Sequence, residues 1–163
     1  MKLSEHFTLS ELTNSATAYE HKILNEPTQE HLQNLKELCQ MLEGVRIAYQ
    51  LPIRISSGYR SKALNDVIPG ASTTSSHCYG LAADIKPVSG NSMRLLQKAV
   101  IKWAKKAKFD QVIFENVGKD GVAQWLHIGV RHGRTGAQRQ QLLYTFDGKK
   151  YYTATEKSAC MTV

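Results

Sequence analysis

Hydrophobic positions recur at helical spacing in two stretches of the chain. The first stretch follows Thr28 and predicts a long amphipathic helix that ends at Gln50-Leu51-Pro52, because proline favours an extended backbone before it. Its apolar positions are Leu32, Leu35, Leu38, Cys39, Leu42, Val45, Ile47 and Ala48. The second stretch predicts a helix over residues 92–108. A polar cap at Thr8 predicts one brief helix near the start, followed by a polar loop at 14–17.

Shorter apolar runs, alternating or continuous, predict β-strands. The predicted strands are residues 53–57, 81–85, 110–115, 124–130, 142–146 and 150–154, with a helical turn at 61–67. The pairs Asp120-Gly121 and Asp147-Gly148 each indicate a hairpin. Because helices and strands alternate irregularly, we expect an α+β fold in which a mainly antiparallel central sheet is packed by two long helices. We expect a single domain over residues 1–163, with a tail that frays from about residue 155.

The composition is that of a globular protein, with 42% apolar and 21% charged residues. No apolar stretch is long enough to cross a membrane or to act as a secretory signal, so we expect a protein made in the cytoplasm without a membrane span. A chain of this length can bury an adequate core alone, so we expect a monomer. Three cysteines without a Cys-x-x-Cys pair argue against a disulfide framework and against a thiolate zinc site.

Lysine and arginine outnumber aspartate and glutamate by 21 to 14, which gives a net charge of +7. This charge favours an anionic partner, and nucleic acid and an anionic bacterial envelope are both candidates. The basic residues are scattered and lack the interleaved aromatic side chains that stack on bases. We therefore expect no nucleic-acid partner, and a plain solvated surface remains an alternative explanation of the charge.

Two of the six histidines, His77 and His127, lie close to or within an apolar strand, where a polar side chain is unusual. His77 precedes Asp84, which lies inside an apolar strand, where a carboxylate is costly to bury unless it is paired or bound to a metal. His127 also lies in an apolar strand. Two imidazoles and one carboxylate are a common ligand set for a catalytic zinc ion with an open fourth position. The spacing alone is weak evidence for a metal site.

Several sequence blocks follow one another along the chain. They are Ser57-Gly58-Tyr59-Arg60-Ser61, Leu64-Asn65, Ser75-x-His77-x-x-Gly80-x-Ala82-x-Asp84, Phe109-Asp110-Gln111-x-Ile113-x-Glu115 and Trp125-x-His127. Together they resemble the M15 family of zinc peptidases, especially compact phage and prophage members related to D-alanyl-D-alanine carboxypeptidases. The opening residues 7–12 and the closing residues 146–151 are also similar, so the resemblance covers nearly the whole chain. It implies a Hedgehog-like or DD-peptidase-like fold and a zinc cofactor.

The resemblance implies roles for individual residues. His77, Asp84 and His127 match the zinc ligands of the family. Arg60 matches an arginine that helps to hold a substrate carboxylate or carbonyl, and Ser75 matches a serine beside the substrate. The planar fork of donors in arginine suits bidentate carboxylate binding, which supports this role for Arg60. A surface salt bridge is the alternative for that residue.

One position departs from the family pattern. Many relatives carry Glu or Asp three residues before the last ligand as the general base, and this chain has Gln124 there. Our predicted replacement is Glu115, on the partner strand. A four-residue loop at 118–121 would set Glu115 opposite Gln124 and require a bend near Trp125. A two-residue turn at Asp120-Gly121 would leave Glu115 on the opposite face from His127.

The resemblance implies zinc-dependent hydrolysis of peptidoglycan stem peptides at the cell wall. The enzyme would be a D-Ala-D-Ala carboxypeptidase or an endopeptidase, delivered as a phage or prophage lysis or virion-associated protein. An alternative is a wall-binding or virion structural module that keeps zinc for folding and has lost turnover through Gln124. A third hypothesis, nucleic-acid binding, rests on charge alone and predicts a steeply salt-dependent DNA affinity.

Overall fold

A computed structural model describes residues 1–155 and shows one six-stranded sheet with helices. The helices are α1 (Leu9–Thr13), α2 (Ala16–Glu20), α3 (Gln29–Tyr49), α4 (Lys62–Val67) and α5 (Met93–Ala104), and a 3₁₀ helix spans Ser76–Tyr79. The strands are β1 (Ile53–Ser57), β2 (Ala82–Pro87), β3 (Gln111–Glu115), β4 (Trp125–Gly129), β5 (Gln141–Thr145) and β6 (Tyr151–Thr153). Their order in the sheet is β1-β2-β4-β3-β5-β6, and only the β3–β5 pair is parallel. The predicted α+β class is confirmed.

Helices α3 and α5 are the two long helices that the hydrophobic spacing predicts. The Thr28 hydroxyl caps α3 by accepting a hydrogen bond from the His31 backbone N–H at 3.2 Å. Gln50 ends α3 in the left-handed conformation, with a φ of 59°. Helix α5 is shorter than predicted and ends at Ala104. Buried residues of both helices join the same hydrophobic core as the sheet.

The prediction for the segment after α1 is wrong in part. We expected a polar loop at 14–17, whereas a second short helix, α2, begins at Ala16. The Ser15 hydroxyl accepts a hydrogen bond from the Ala18 backbone N–H and so caps this helix. A serine in a polar stretch is equally typical of a loop and of a helix cap, and packing of the buried Ala18 decides between them.

The two faces of the sheet have different roles. One face packs into the core with α3 and α5 and carries Ala83, Ile85, Val112, Phe114, Leu126 and Ile128. On the other face, residues that are partners across neighbouring strands form a row of side chains. The row consists of Asp84, His127, Ile113, Leu143 and Thr153. Because cross-strand partners share a face, the second face brings two of the predicted ligands together.

The β3–β4 register differs from both of the registers that we considered. Ile113 pairs with His127, and Glu115 pairs with Trp125. The connection closes through a three-residue loop, because the Gly118 N–H donates to the Val122 carbonyl at 2.9 Å. Gly121 ends this loop with a φ of 74°, as loops of this length require. Glu115 and His127 therefore lie on the same face without a bend at Trp125.

Two further expectations concern the chain as a whole. The expected frayed tail falls mainly on residues 156–163, which lie outside the described residues. Within residues 1–155, none of the helices combines the length and the apolar character that a membrane span requires.

Candidate metal and active site

Strands β2 and β4 hold Asp84 and His127 side by side. The two residues are direct antiparallel partners, and His127 Nδ1 lies 3.1 Å from Asp84 Oδ1. Asp84 is buried although it carries a charge, and His127 is partly exposed. Strand pairing therefore places a carboxylate oxygen and an imidazole nitrogen at one point on the sheet surface.

His77 reaches the same point from the 3₁₀ helix. The Ser75 hydroxyl accepts a hydrogen bond from the His77 backbone N–H at 3.4 Å and caps this helix. Gly80 ends it with a φ of 69°, and a Cβ there would lie 2.8 Å from the His31 carbonyl oxygen. The helix is thus pressed against α3, which fixes the position of the His77 backbone. Only glycine fits this close approach without strain.

The protonation of the His77 ring is set by the backbone. Its Nδ1 lies 2.7 Å from the Gly58 carbonyl oxygen, which can only accept, so Nδ1 carries the hydrogen. Nε2 therefore keeps its lone pair and faces the site. Burial lowers the pKa of His77, which also favours the neutral ring that a metal ion needs. A hydrogen bond from the second ring nitrogen to a carbonyl is typical of metal-binding histidines.

His77, Asp84 and His127 converge as a set that could hold a metal ion. His77 Nε2 lies 3.2 Å from His127 Nδ1 and 3.4 Å from Asp84 Oδ1. One ligand atom from each of the three residues lies within 4.8 Å of the others. Burial opposes ionisation of Asp84, but His77 and His127 outweigh it and hold the pKa of that carboxyl well below its usual range. The donor set, two nitrogens and one anionic oxygen, fits a divalent ion such as zinc.

Arg60 lies beside this group, in the loop after β1. Its Nη2 donates to Asp84 Oδ2 at 3.4 Å, and its Nε donates to Ser57 Oγ at 3.1 Å. Its backbone N–H donates to the His77 carbonyl at 3.2 Å. This hydrogen bond connects the sequence block at 57–61 with the block at 75–84. The arginine is thus paired with a candidate metal ligand and is not a surface salt bridge. A guanidinium has more donors than these two side-chain contacts use.

Glu115 and Gln124 have opposite surroundings. Glu115 is 9% exposed and lines the same cleft as the three candidate ligands. Burial raises its pKa, and the charge of Asp84 adds to this effect while His127 opposes it. Gln124 is exposed and lies outside the residues that line the cleft.

The cleft has a volume of about 970 Å³ and contains all six predicted site residues. Those residues are Arg60, Ser75, His77, Asp84, Glu115 and His127. Sequence reasoning missed one wall, which comes from Arg139 and from the β5–β6 hairpin. The hairpin contributes Leu143, Lys149 and Tyr151. Residues 146–151 belong to the family resemblance, but nothing in the sequence places them at the cleft, because β5 pairs in parallel with β3, a partner that lies far away in the chain.

Comparison with known proteins adds one match. A family model described as Peptidase M15 matches residues 5–129, about three quarters of the chain. The matched range contains all six predicted site residues and ends before β5. No curated protein matches the chain.

Proposed function

The chain belongs to the peptidase M15 family, and from this premise we propose that it hydrolyses peptide bonds in bacterial peptidoglycan stem peptides with a bound zinc ion. The family supports a metallopeptidase. The observation that carries the proposal is the convergence of His77, Asp84 and His127 in a cleft that also contains Glu115 and Arg60. The bond is the terminal D-Ala-D-Ala bond or an internal bond of the stem, and the protein acts in phage or prophage lysis or in a virion.

Zinc is the ion that we propose for the three ligands. Two neutral imidazoles and one carboxylate leave a fourth tetrahedral position open, as catalytic zinc sites do. When bound there, the ion supplies Lewis-acid chemistry, which polarises a carbonyl oxygen and lowers the pKa of water. The Gly58 carbonyl and the Arg60 guanidinium orient His77 and Asp84 for this role, because each bonds a ligand away from its metal-facing atom.

Glu115 is the proposed general base. Its carboxylate accepts a proton from the attacking water as the water oxygen bonds to the scissile carbonyl carbon. It then returns a proton to the leaving amine nitrogen as the C–N bond breaks. The products are a carboxylate and an ammonium group once the acid proton has passed to the amine, and Glu115 is regenerated as a carboxylate. Its position on the same face as His127 supports this role.

Arg60 and Ser75 are the proposed substrate-binding residues. Arg60 keeps donors that its contacts with Asp84 and Ser57 do not use, and these suit a substrate carbonyl or carboxylate. The net charge of +7 favours approach to an anionic cell envelope. We propose that the protein works there as a monomer.

The alternative is a structural module that binds zinc and has no turnover. It was suggested by Gln124, which occupies the position of the usual base. Glu115 weakens this alternative, since a second buried carboxylate faces the cleft.

The decisive experiment is digestion of purified sacculi, followed by mass identification of the new termini. We expect release of D-alanine or of stem peptides by the zinc-loaded protein, and no release by the His127→Ala protein. A zinc-loaded protein that releases nothing from sacculi would contradict the proposal and favour the structural module.

A further inference from the structure

The β5–β6 hairpin builds a wall of the cleft that lies beyond the segment matched by the family model. The match ends at Gly129, whereas the hairpin spans residues 141–153. Strand β5 joins the sheet through its parallel pairing with β3, the strand that carries Glu115. The hairpin therefore extends, by two strands, the face of the sheet that carries Asp84 and His127.

Tyr151 lies on the same face of the sheet as Glu115. Thr145 follows Tyr144, the partner of Phe114, so Thr145 lies beside Glu115 on the neighbouring strand. Tyr151 is in turn the cross-strand partner of Thr145. Thr145 is small and fully buried, so no large side chain stands between Glu115 and the phenol in this row.

The turn that precedes Tyr151 is held by hydrogen bonds of its own residues. The Thr145 hydroxyl accepts from the backbone N–H of Gly148 at 2.9 Å. The Asp147 carboxylate accepts from the backbone N–H groups of Lys149 and Lys150 at 2.9 and 3.1 Å. Tyr151 thus begins a strand that follows a preorganised turn, which lowers the entropy lost on binding a ligand.

The phenol of Tyr151 uses its donor within the protein, and its acceptor capacity remains available. Its O–H donates to the Gly148 carbonyl at 3.2 Å, which leaves the lone pairs of the oxygen to accept. The residue is 45% exposed and lines the cleft, so a peptide can reach it. Burial raises its pKa, and the negative charges of Glu115, Asp84 and Asp147 raise it further, so the phenol is neutral.

We propose that Tyr151 is a further substrate-binding residue, whose phenol oxygen accepts a hydrogen bond from a backbone N–H of the substrate peptide. This inference rests on the proposed function, because it requires a peptide in the cleft. The bond forms equally in the ground state and in the transition state, so it contributes to affinity and not to the rate of the chemical step.

The chain offers a matched control one residue away. Tyr152 points to the opposite face of the sheet, where its ring stacks on Tyr144 with a centroid distance of 5.3 Å. Tyr151→Phe and Tyr152→Phe each delete a single hydroxyl. Only the first hydroxyl faces the cleft.

The test measures binding and turnover of a synthetic stem pentapeptide that contains both candidate bonds. In a Glu115→Gln background, which holds the peptide uncleaved, calorimetry should show that Tyr151→Phe weakens binding by about 3- to 10-fold, the usual worth of one hydrogen bond. Tyr152→Phe should bind like its parent. In the otherwise wild-type protein, Tyr151→Phe should raise KM with kcat and zinc content unchanged.

The possible failures are distinguishable. Equal affinity in the Tyr151→Phe and Tyr152→Phe proteins, while the wild type cleaves the peptide, would overturn the inference and leave the proposed function intact. Loss of zinc or of thermal stability in Tyr151→Phe would show a structural role and also overturn it. A wild-type protein that neither binds nor cleaves the pentapeptide, and releases nothing from sacculi, would overturn both.

Discussion

At the scale of single residues, the surroundings of Glu115 decide how the proposed chemistry depends on pH. Burial raises the pKa of Glu115 above its ordinary value of 4.5. A general base works only in its ionised form, so its activity is present above its own pKa and is lost as the pH falls through that value. The acidic limb of the rate profile should therefore report this carboxyl.

We predict that Glu115→Gln keeps its zinc and loses about 10²- to 10⁴-fold in kcat/KM, the usual worth of general acid–base catalysis. In the wild type, kcat/KM should fall with decreasing pH as the Glu115 carboxylate becomes protonated. Peptide release measured against pH, with metal analysis of both proteins, checks this. Gln124→Ala serves as the control and should retain the wild-type rate, since Gln124 lies outside the cleft. Wild-type rates in Glu115→Gln would contradict the assignment.

At the scale of structural elements, Gly58 packs against α1 and also contacts His77, a candidate metal ligand. A Cβ at Gly58 would lie 2.3 Å from the Leu12 carbonyl oxygen, and the Tyr59 N–H donates to that same oxygen at 2.6 Å. The Gly58 carbonyl in turn accepts from His77 Nδ1. The contact between α1 and the loop after β1 therefore sets the orientation of a candidate ligand.

We predict that Gly58→Ala lowers the free energy of unfolding by about 1–3 kcal/mol, because the added methyl group overlaps rigid backbone. It should also weaken zinc binding by about 10-fold or more, because the Gly58 carbonyl moves away from His77. Urea unfolding and competition with a zinc chelator measure the two effects.

The control is Gly44→Ala, in the middle of α3. A Cβ there meets only the side chain of Trp103, at 3.0 Å, so zinc affinity should be unchanged. A Gly58→Ala protein that competes for zinc as well as the wild type does would show that the carbonyl does not orient His77.

At the scale of the whole molecule, the candidate ligands come from three different elements, and His127 lies 43 residues after Asp84 in the sequence. His77 belongs to the 3₁₀ helix, Asp84 to β2 and His127 to β4. The unfolded chain does not hold these groups together, so a metal ion bound by all three should stabilise the folded state by mass action.

We predict that removal of zinc lowers the free energy of unfolding by about 4 kcal/mol when the free zinc concentration was about 1000 times its Kd. Thermal unfolding with and without a chelator measures this as a fall in Tm. The His127→Ala protein is the control and should show no response to the chelator. An identical Tm for the wild type in both conditions would contradict a zinc site that bridges these elements.

The sequence by itself determined the parts of the protein that depend on local patterns. The α3 and α5 helices follow from apolar spacing, and α3 ends before Pro52 as expected. The three candidate metal ligands follow from the resemblance of short sequence blocks to the M15 family, since their spacing alone is weak evidence. Such signals need no knowledge of distant contacts, because helical periodicity and sequence motifs are both read from neighbouring residues.

Only the tertiary structure decided which side chains share a face. Gly121 adopts a left-handed conformation that a three-residue loop requires. The register set by this loop places Glu115 on the same face of the sheet as His127. The parallel pairing of β5 with β3 brings Tyr151 to the cleft, although no pattern links the two segments. Side chains alternate with a period of two along a strand, so a shift of one residue in register exchanges the faces. Register depends on turn geometry and on long-range pairing, and the local pattern of hydrophobic and polar residues specifies neither.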